Sequence, residues 1–102
     1  MLELRPNCEC CNKDLPPDSM DARICTYECT FCADCVEQVL SNVCPNCGGG
    51  FVLRPIRPST VRRKGVGLEH QPASTKRVIT QYSEDEIRQF AEAVKAILPE
   101  ER

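Results

Sequence analysis

Nine cysteines lie within the first 47 residues of this 102-residue chain, and eight of them fall into spaced pairs. Cys8-x-x-Cys11 is followed after thirteen residues by Cys25-x-x-x-Cys29, then by Cys32-x-x-Cys35 and, eight residues later, by Cys44-Pro45-Asn46-Cys47. A two-residue gap lets both thiolates of a tight turn face one ion, and three of the four pairs have it. Four thiolates complete a zinc tetrahedron, so Cys8, Cys11, Cys25, Cys29, Cys32, Cys35, Cys44 and Cys47 are expected to hold two zinc ions. A site closed by four sulfurs has no open coordination position and points away from catalysis. Cys10 is left over as a possible free thiol.

The rest of the composition explains why metal is needed. The chain has no Trp and only 5 % aromatic residues, so its first 50 or so residues cannot build a large apolar core. Domains this small rely on disulfides, metals or oligomerisation. The start, Met1-Leu2-Glu3-Leu4-Arg5-Pro6, lacks an apolar signal region, and no apolar run is long enough to span a membrane. A cytoplasmic location, where thiols stay reduced, is therefore expected, and it favours zinc over disulfides. Zinc binding in small fingers contributes on the order of 10–16 kcal/mol, more than the net stability of many domains, so the head is expected to unfold without its metal.

The formal charge of -2 hides a partition. Residues 1–53 carry -5, residues 54–77 carry +6 and residues 78–102 carry -3. Each four-thiolate zinc site adds two negative charges, which would bring the head to about -9. Such a surface should not seek phosphate backbones.

Three segments must position this chemistry. Residues 1–53 form the zinc head. Within it, Ala22–Tyr27 and Thr30–Cys32 read as a short β-hairpin presenting ligands from its turn. Asp34–Asn42 reads as one helix, with Val36, Val39, Leu40 and Val43 on a single stripe ended by Pro45 and the glycines Gly48–Gly50. Val36, Val39, Leu40, Ile24 and Phe31 are the expected core. Residues 54–76, with three prolines and two glycines, read as a basic flexible linker. Residues 77–102 begin with a short extended segment. Ser83-Glu84-Asp85-Glu86 then matches a capping box opening an amphipathic helix, with Ile87, Phe90, Ala91, Val94, Ile97 and Leu98 on one face and Pro99 as its stop. That face is too short to be stable alone, so residues 84–98 are expected to pack on the head, form a homodimer or dock on a partner.

The order of ligands, gaps and flanking residues resembles the RING-type cross-brace, a small α+β zinc fold. That resemblance implies that pairs one and three share an ion, as do pairs two and four. Site 1 would then be Cys8, Cys11, Cys32 and Cys35, and site 2 Cys25, Cys29, Cys44 and Cys47. Phe31 before Cys32, the helix after Cys35 and the Cys44-Pro45-x-Cys47 ending match, while Cys29 stands where the commonest pattern has His. The first 57 or so residues also resemble a bacterial cysteine-rich family, domain of unknown function 1272. The opening Leu2-Glu3-Leu4-Arg5-Pro6-Asn7-Cys8-Glu9-Cys10-Cys11 and the stretch Phe31-Cys32-Ala33-Asp34-Cys35 carry that resemblance.

The RING resemblance does not bring ubiquitin-ligase activity with it. Ligase-competent domains usually have an aliphatic residue inside the first pair, where this chain has Glu9 and Cys10. They often carry Trp near the helix and a cation after the last ligand, where this chain has no Trp and Gly48. The resulting reading is a non-catalytic, zinc-binding adaptor in the bacterial cytosol with a protein partner. The competing readings are a nucleic-acid-binding regulator using Arg62-Arg63-Lys64, a ligase-like factor, and a thiol or zinc sensor using Cys10. No aromatic is interleaved with Arg62-Arg63-Lys64 for base stacking, which weakens the nucleic-acid reading. His70 has no ligand partner at helical spacing, and no catalytic constellation is recognisable.

Overall fold

A computed structural model describes all residues, Met1–Arg102. Two short strands, β1 (Ala22–Ile24) and β2 (Thr30–Cys32), pair antiparallel with Arg23 opposite Phe31. They are the expected hairpin, trimmed at its turn, where Thr26 and Tyr27 are exposed and Glu28 adopts a positive φ of 66°. A third strand, β3 (Val52–Leu53), adds to the other edge of β1, giving the order β2-β1-β3. The sequence reading did not anticipate β3, which has two residues, both exposed, and shows no alternation to detect.

The helical stretch after the third cysteine pair begins with α1 (Ala33–Cys35) and widens into a π-helical turn, Val36–Leu40. The helix expected over residues 34–42 therefore ends two residues early. Ser41 and Asn42 take left-handed conformations with φ of 51° and 58°, and the Asn42 amide closes on the Val36 carbonyl at 3.0 Å. Asn tolerates this geometry well, and Pro45 is not what stops the helix. The widened turn rotates the apolar stripe. Leu40 and Val43 are buried, whereas Val36 and Val39 pack only partly against the core.

Phe31, Leu15, Ala22, Leu40 and six of the cysteines make up most of that core, and Ile87 joins it from the tail. Phe31 meets Phe51 edge-on, with ring centroids 5.4 Å apart. The core is small and rich in sulfur, as the composition requires.

Residues 54–80 lie along the head. The Arg54 side chain is 1 % exposed and donates to the carbonyls of Arg5, Leu15 and Pro16. Arg57 donates to the carbonyls of Leu2 and Gln71, and the Ser74 amide donates to the Leu4 carbonyl. A segment read as a linker from its prolines and charge thus makes side-chain and backbone ties to the head, which leave no periodicity in a sequence.

The capping box at Ser83 forms as expected. The Glu86 amide donates to Ser83 Oγ at 3.2 Å, and the Ser83 amide donates to Glu86 Oε1 at 3.0 Å. Helix α2 (Glu84–Val94) follows and packs on the π-helical turn. It stops well before Pro99, which instead opens a 3-10 turn over Pro99–Glu101. Only Ile87 and Ala91 are buried in α2, and no residue beyond Val94 is. Without packing, the last turn of the expected helix has little to hold it. Phe90, Ile97 and Leu98 remain exposed. No helix is long and apolar enough to cross a membrane.

Candidate metal centre

All nine cysteines are free thiols, and eight of them gather near two points. The first gathering is built from the Cys8–Cys11 turn and the junction of β2 with α1. Cys8 and Cys11 face Cys32, which caps α1, and Cys35, which ends it. Their four sulfurs lie within 4.8 Å of one another. A tetrahedron with a metal–sulfur length of about 2.3 Å has edges of about 3.8 Å. Cys11 Sγ and Cys32 Sγ are 3.8 Å apart, the spacing such an edge needs and nearly twice a disulfide bond. In each turn a backbone amide points at the first sulfur, Cys11 N–H at Cys8 Sγ and Cys35 N–H at Cys32 Sγ, both at 3.5 Å. These amides stabilise thiolate charge and orient the ligands.

Glu9, inside the first turn, is 2 % exposed. Its backbone amide donates to the Thr30 carbonyl at 2.9 Å. Its carboxylate accepts from the Thr30 amide and from Arg5 Nη1, the latter at 2.8 Å. Burial raises its pKa above the ordinary carboxylate value, against the opposing pull of the Thr30 amide and Arg5. Glu9 thereby bolts the first cysteine turn to β2. The sequence offered it only as a departure from the ligase pattern, because a buried, paired acid looks like any surface acid in one dimension.

The second gathering draws Cys25 from the end of β1 and Cys44 and Cys47 from the last turn, with sulfurs again within 4.8 Å of one another. Cys29 stands just outside this trio. Its sulfur accepts from Asn46 Nδ2 at 3.3 Å. The neighbouring Cys44 thiol, helped by Asn46 and opposed by burial, holds the Cys29 thiol down to about 5. Cys29, together with burial, pushes the Cys44 thiol up. Tyr27 N–H points at Cys25 Sγ (3.3 Å) and Gly49 N–H at Cys47 Sγ (3.4 Å). Gly48, with φ of 80°, closes the turn by donating to the Cys44 carbonyl at 2.7 Å.

Burial raises the Cys25 and Cys32 thiols to about 11 and Cys35 higher still. Thiols packed together in this way cannot all ionise unless a cation sits among them. The donor set fits a thiophilic metal ion. One cluster joins pairs one and three and the other joins pairs two and four, so the cysteines follow the cross-brace pattern. Cys10 lies half-buried against the core and belongs to neither cluster. Burial raises its thiol above the ordinary value, opposed by the neighbouring Cys35. His70 is exposed and belongs to neither cluster.

Comparison with known proteins agrees with this architecture and adds no activity. Residues 1–57 match the family described as "Protein of unknown function (DUF1272)". The chain is also similar to the "Uncharacterized protein R02474" of Rhizobium meliloti (strain 1021), with 61 % identity over 79 residues, 78 % of this chain and 87 % of that relative. The likeness therefore runs past the family-matched head into the segment that wraps it. No solved structure matches the chain. With its first 57 residues matched to the family model, the chain belongs to the DUF1272 family.

Proposed function

We propose that this protein is a zinc-stapled, non-catalytic interaction module that binds a protein partner in the bacterial cytosol. The sulfur quartet of Cys8, Cys11, Cys32 and Cys35, with its 3.8 Å edge, carries the reading. Zinc suits four thiolates, holds them without redox chemistry and leaves no coordination position for a substrate. Cys29, whose sulfur accepts from Asn46 between Cys44 and Cys47, completes the second site alongside Cys25, Cys44 and Cys47. Both ions are structural, and the surface they hold rigid is the working part.

Two observations weigh against nucleic acid as the partner. Arg54 and Arg57 are occupied by backbone carbonyls, and Arg77 by Asn12 and Asp14. The remaining basic cluster, Arg62-Arg63-Lys64, is exposed on a chain whose other segments are acidic.

The test has two parts. Elemental analysis of the purified chain is expected to give two zinc ions per molecule, whereas one ion, or iron, would overturn the paired-site reading. Full-length protein on a support is expected to retain a specific protein in a zinc-dependent way. Retention of nucleic acid instead, persisting in moderate salt, would replace the adaptor with the regulator.

A further inference from the structure

The chain has five aromatic residues, and two of them, Phe31 and Phe51, pack together in the head. Two of the others, Tyr82 and Phe90, share one groove of about 530 Å³ with Pro45, Asn46, Glu86 and Gln89. The groove runs between α2 and the Cys44–Cys47 turn. Phe90 packs over that turn at Gly48. A β-carbon there would sit 3.6 Å from the Phe90 ring. Tyr82 is 36 % exposed and Phe90 40 %, so both rings remain open to a ligand.

The polar groups around these rings offer acceptors to a ligand, and Glu86 is the one charged group among them. Glu86 uses Oε1 to receive the Ser83 amide, and its second oxygen is free. Asn46 donates to Cys29 Sγ through its amide nitrogen, and its Oδ1 accepts from no donor of the chain. No lysine or arginine lines the groove. The nearest basic residue of α2, Arg88, is turned away to Glu84 and the Gln38 carbonyl. If the second cysteine cluster holds zinc as proposed above, its net charge of -2 lies directly behind Pro45 and Asn46. Two π faces, a carboxylate, an amide oxygen and an anionic metal centre, with no cation of the fold's own, describe a receptor for a positively charged side chain.

We propose that the Pro45–Tyr82–Phe90 groove is where a partner protein docks, and that it captures a lysine or arginine carried on a basic peptide segment. The aliphatic stem of that side chain lies on Tyr82, Phe90 and Pro45, and its charged head reaches Glu86 and Asn46. The proposal rests on the adaptor reading and names the partner's chemistry and its contact face.

Phage-displayed random dodecapeptides panned against the zinc-loaded, full-length protein provide the test. Selected peptides are expected to be enriched in lysine or arginine, and a synthetic copy should shift the NMR signals of Asn46, Tyr82 and Phe90. Phe90→Ala should weaken that copy roughly tenfold, and its binding should weaken further with salt. Glu86→Gln keeps the capping box, since glutamine serves at that position as well, yet removes the charge, and should also weaken binding several-fold. Basic peptides that shift other residues, or that bind both variants as tightly as the parent, would overturn the groove while leaving the adaptor reading intact. Failure of a folded, two-zinc protein to enrich any peptide or retain any protein would remove both. Self-association abolished by Arg63→Ala would place a second copy's basic loop in the groove and overturn a foreign partner.

Discussion

The side-chain amide of Asn7 pairs with the backbone of Val78 through both of its polar atoms. Asn7 Nδ2 donates to the Val78 carbonyl at 2.8 Å, and the Val78 amide donates to Asn7 Oδ1 at 3.1 Å. Asn7 is fully buried and directly precedes the first metal-site cysteine. It therefore acts as a one-residue strand partner that ties the segment leading to α2 onto the Cys8–Cys11 turn. Arg77 and Thr80 extend the tie, Arg77 to Asn12 and Asp14 and the Thr80 amide to the Glu9 carbonyl at 2.8 Å.

Asn7→Asp retains the acceptor for the Val78 amide and loses the donor for its carbonyl. We expect a loss of about 1–3 kcal/mol, the cost of a stranded buried group. Hydrogen exchange of zinc-loaded protein should show the Val78 and Thr80 amides opening faster while the cysteine turns stay protected. Unchanged exchange at Val78 would mean that the tie does not hold the tail.

Arg54 places a buried guanidinium against three carbonyls and no carboxylate. Burial pulls its pKa below the ordinary value, a sign of how far it has left water. Arg54→Met should cost on the order of 3 kcal/mol, because the carbonyls of Arg5, Leu15 and Pro16 lose their donor together. Arg54→Lys should fall between, since a single ammonium cannot span the positions that a planar fork reaches. Denaturant midpoints of the three zinc-saturated proteins give the order, and a lysine variant as stable as the parent would contradict it.

The ligand assignment separates two cysteines that lie close in sequence to others of their kind. Cys10→Ala should still bind two zinc ions after dialysis. Cys29→Ala should hold one firmly and lose the other to a mild chelator, because three thiolates leave site two open. The reverse pattern, with Cys10 essential and Cys29 dispensable, would transfer the role of ligand to Cys10.

Asn46 supports Cys29 through an N–H···S bond of 3.3 Å. Partners of this kind are worth roughly 10–100-fold in metal affinity. Asn46→Ala should weaken the second site by about that factor and leave the first unchanged, as read by competition with a chromophoric chelator. Equal weakening of both sites would point to a general loss of folding.

Ile87 is the main anchor of α2 on the head, at 2 % exposure. Ile87→Ala should cost about 2–5 kcal/mol of local docking energy. An 11-residue helix is marginal without tertiary support, so its amides should exchange far faster in the variant. Retained protection over Glu84–Val94 would show that the helix is held by something other than this contact.

How much of the molecule was legible follows from what leaves a trace along the chain. Ligand spacing is local, since two thiolates on one turn need a fixed gap, and the cysteine pairs are readable from Cys8 to Cys47. The capping box at Ser83 is equally local, as is the hairpin whose turn runs from Cys25 to Cys29. The features that decide how these pieces fit together are long-range contacts with no period. Glu9 bolted to Thr30, Arg54 under three carbonyls, Asn7 on Val78 and the late addition of β3 each join residues 21 to 71 positions apart. A single sequence does not encode which buried polar group meets which carbonyl, because an isolated Glu, Arg or Asn looks the same whether it faces water or a partner. The π-widened turn belongs to the same class. Its register depends on Ser41 and Asn42 closing left-handed beside an already assembled core, and that closure turns the expected apolar stripe partly away. The chain's local chemistry thus selects two sulfur clusters, while packing decides that the basic segment and α2 fold back upon them and leave the groove at Pro45 open.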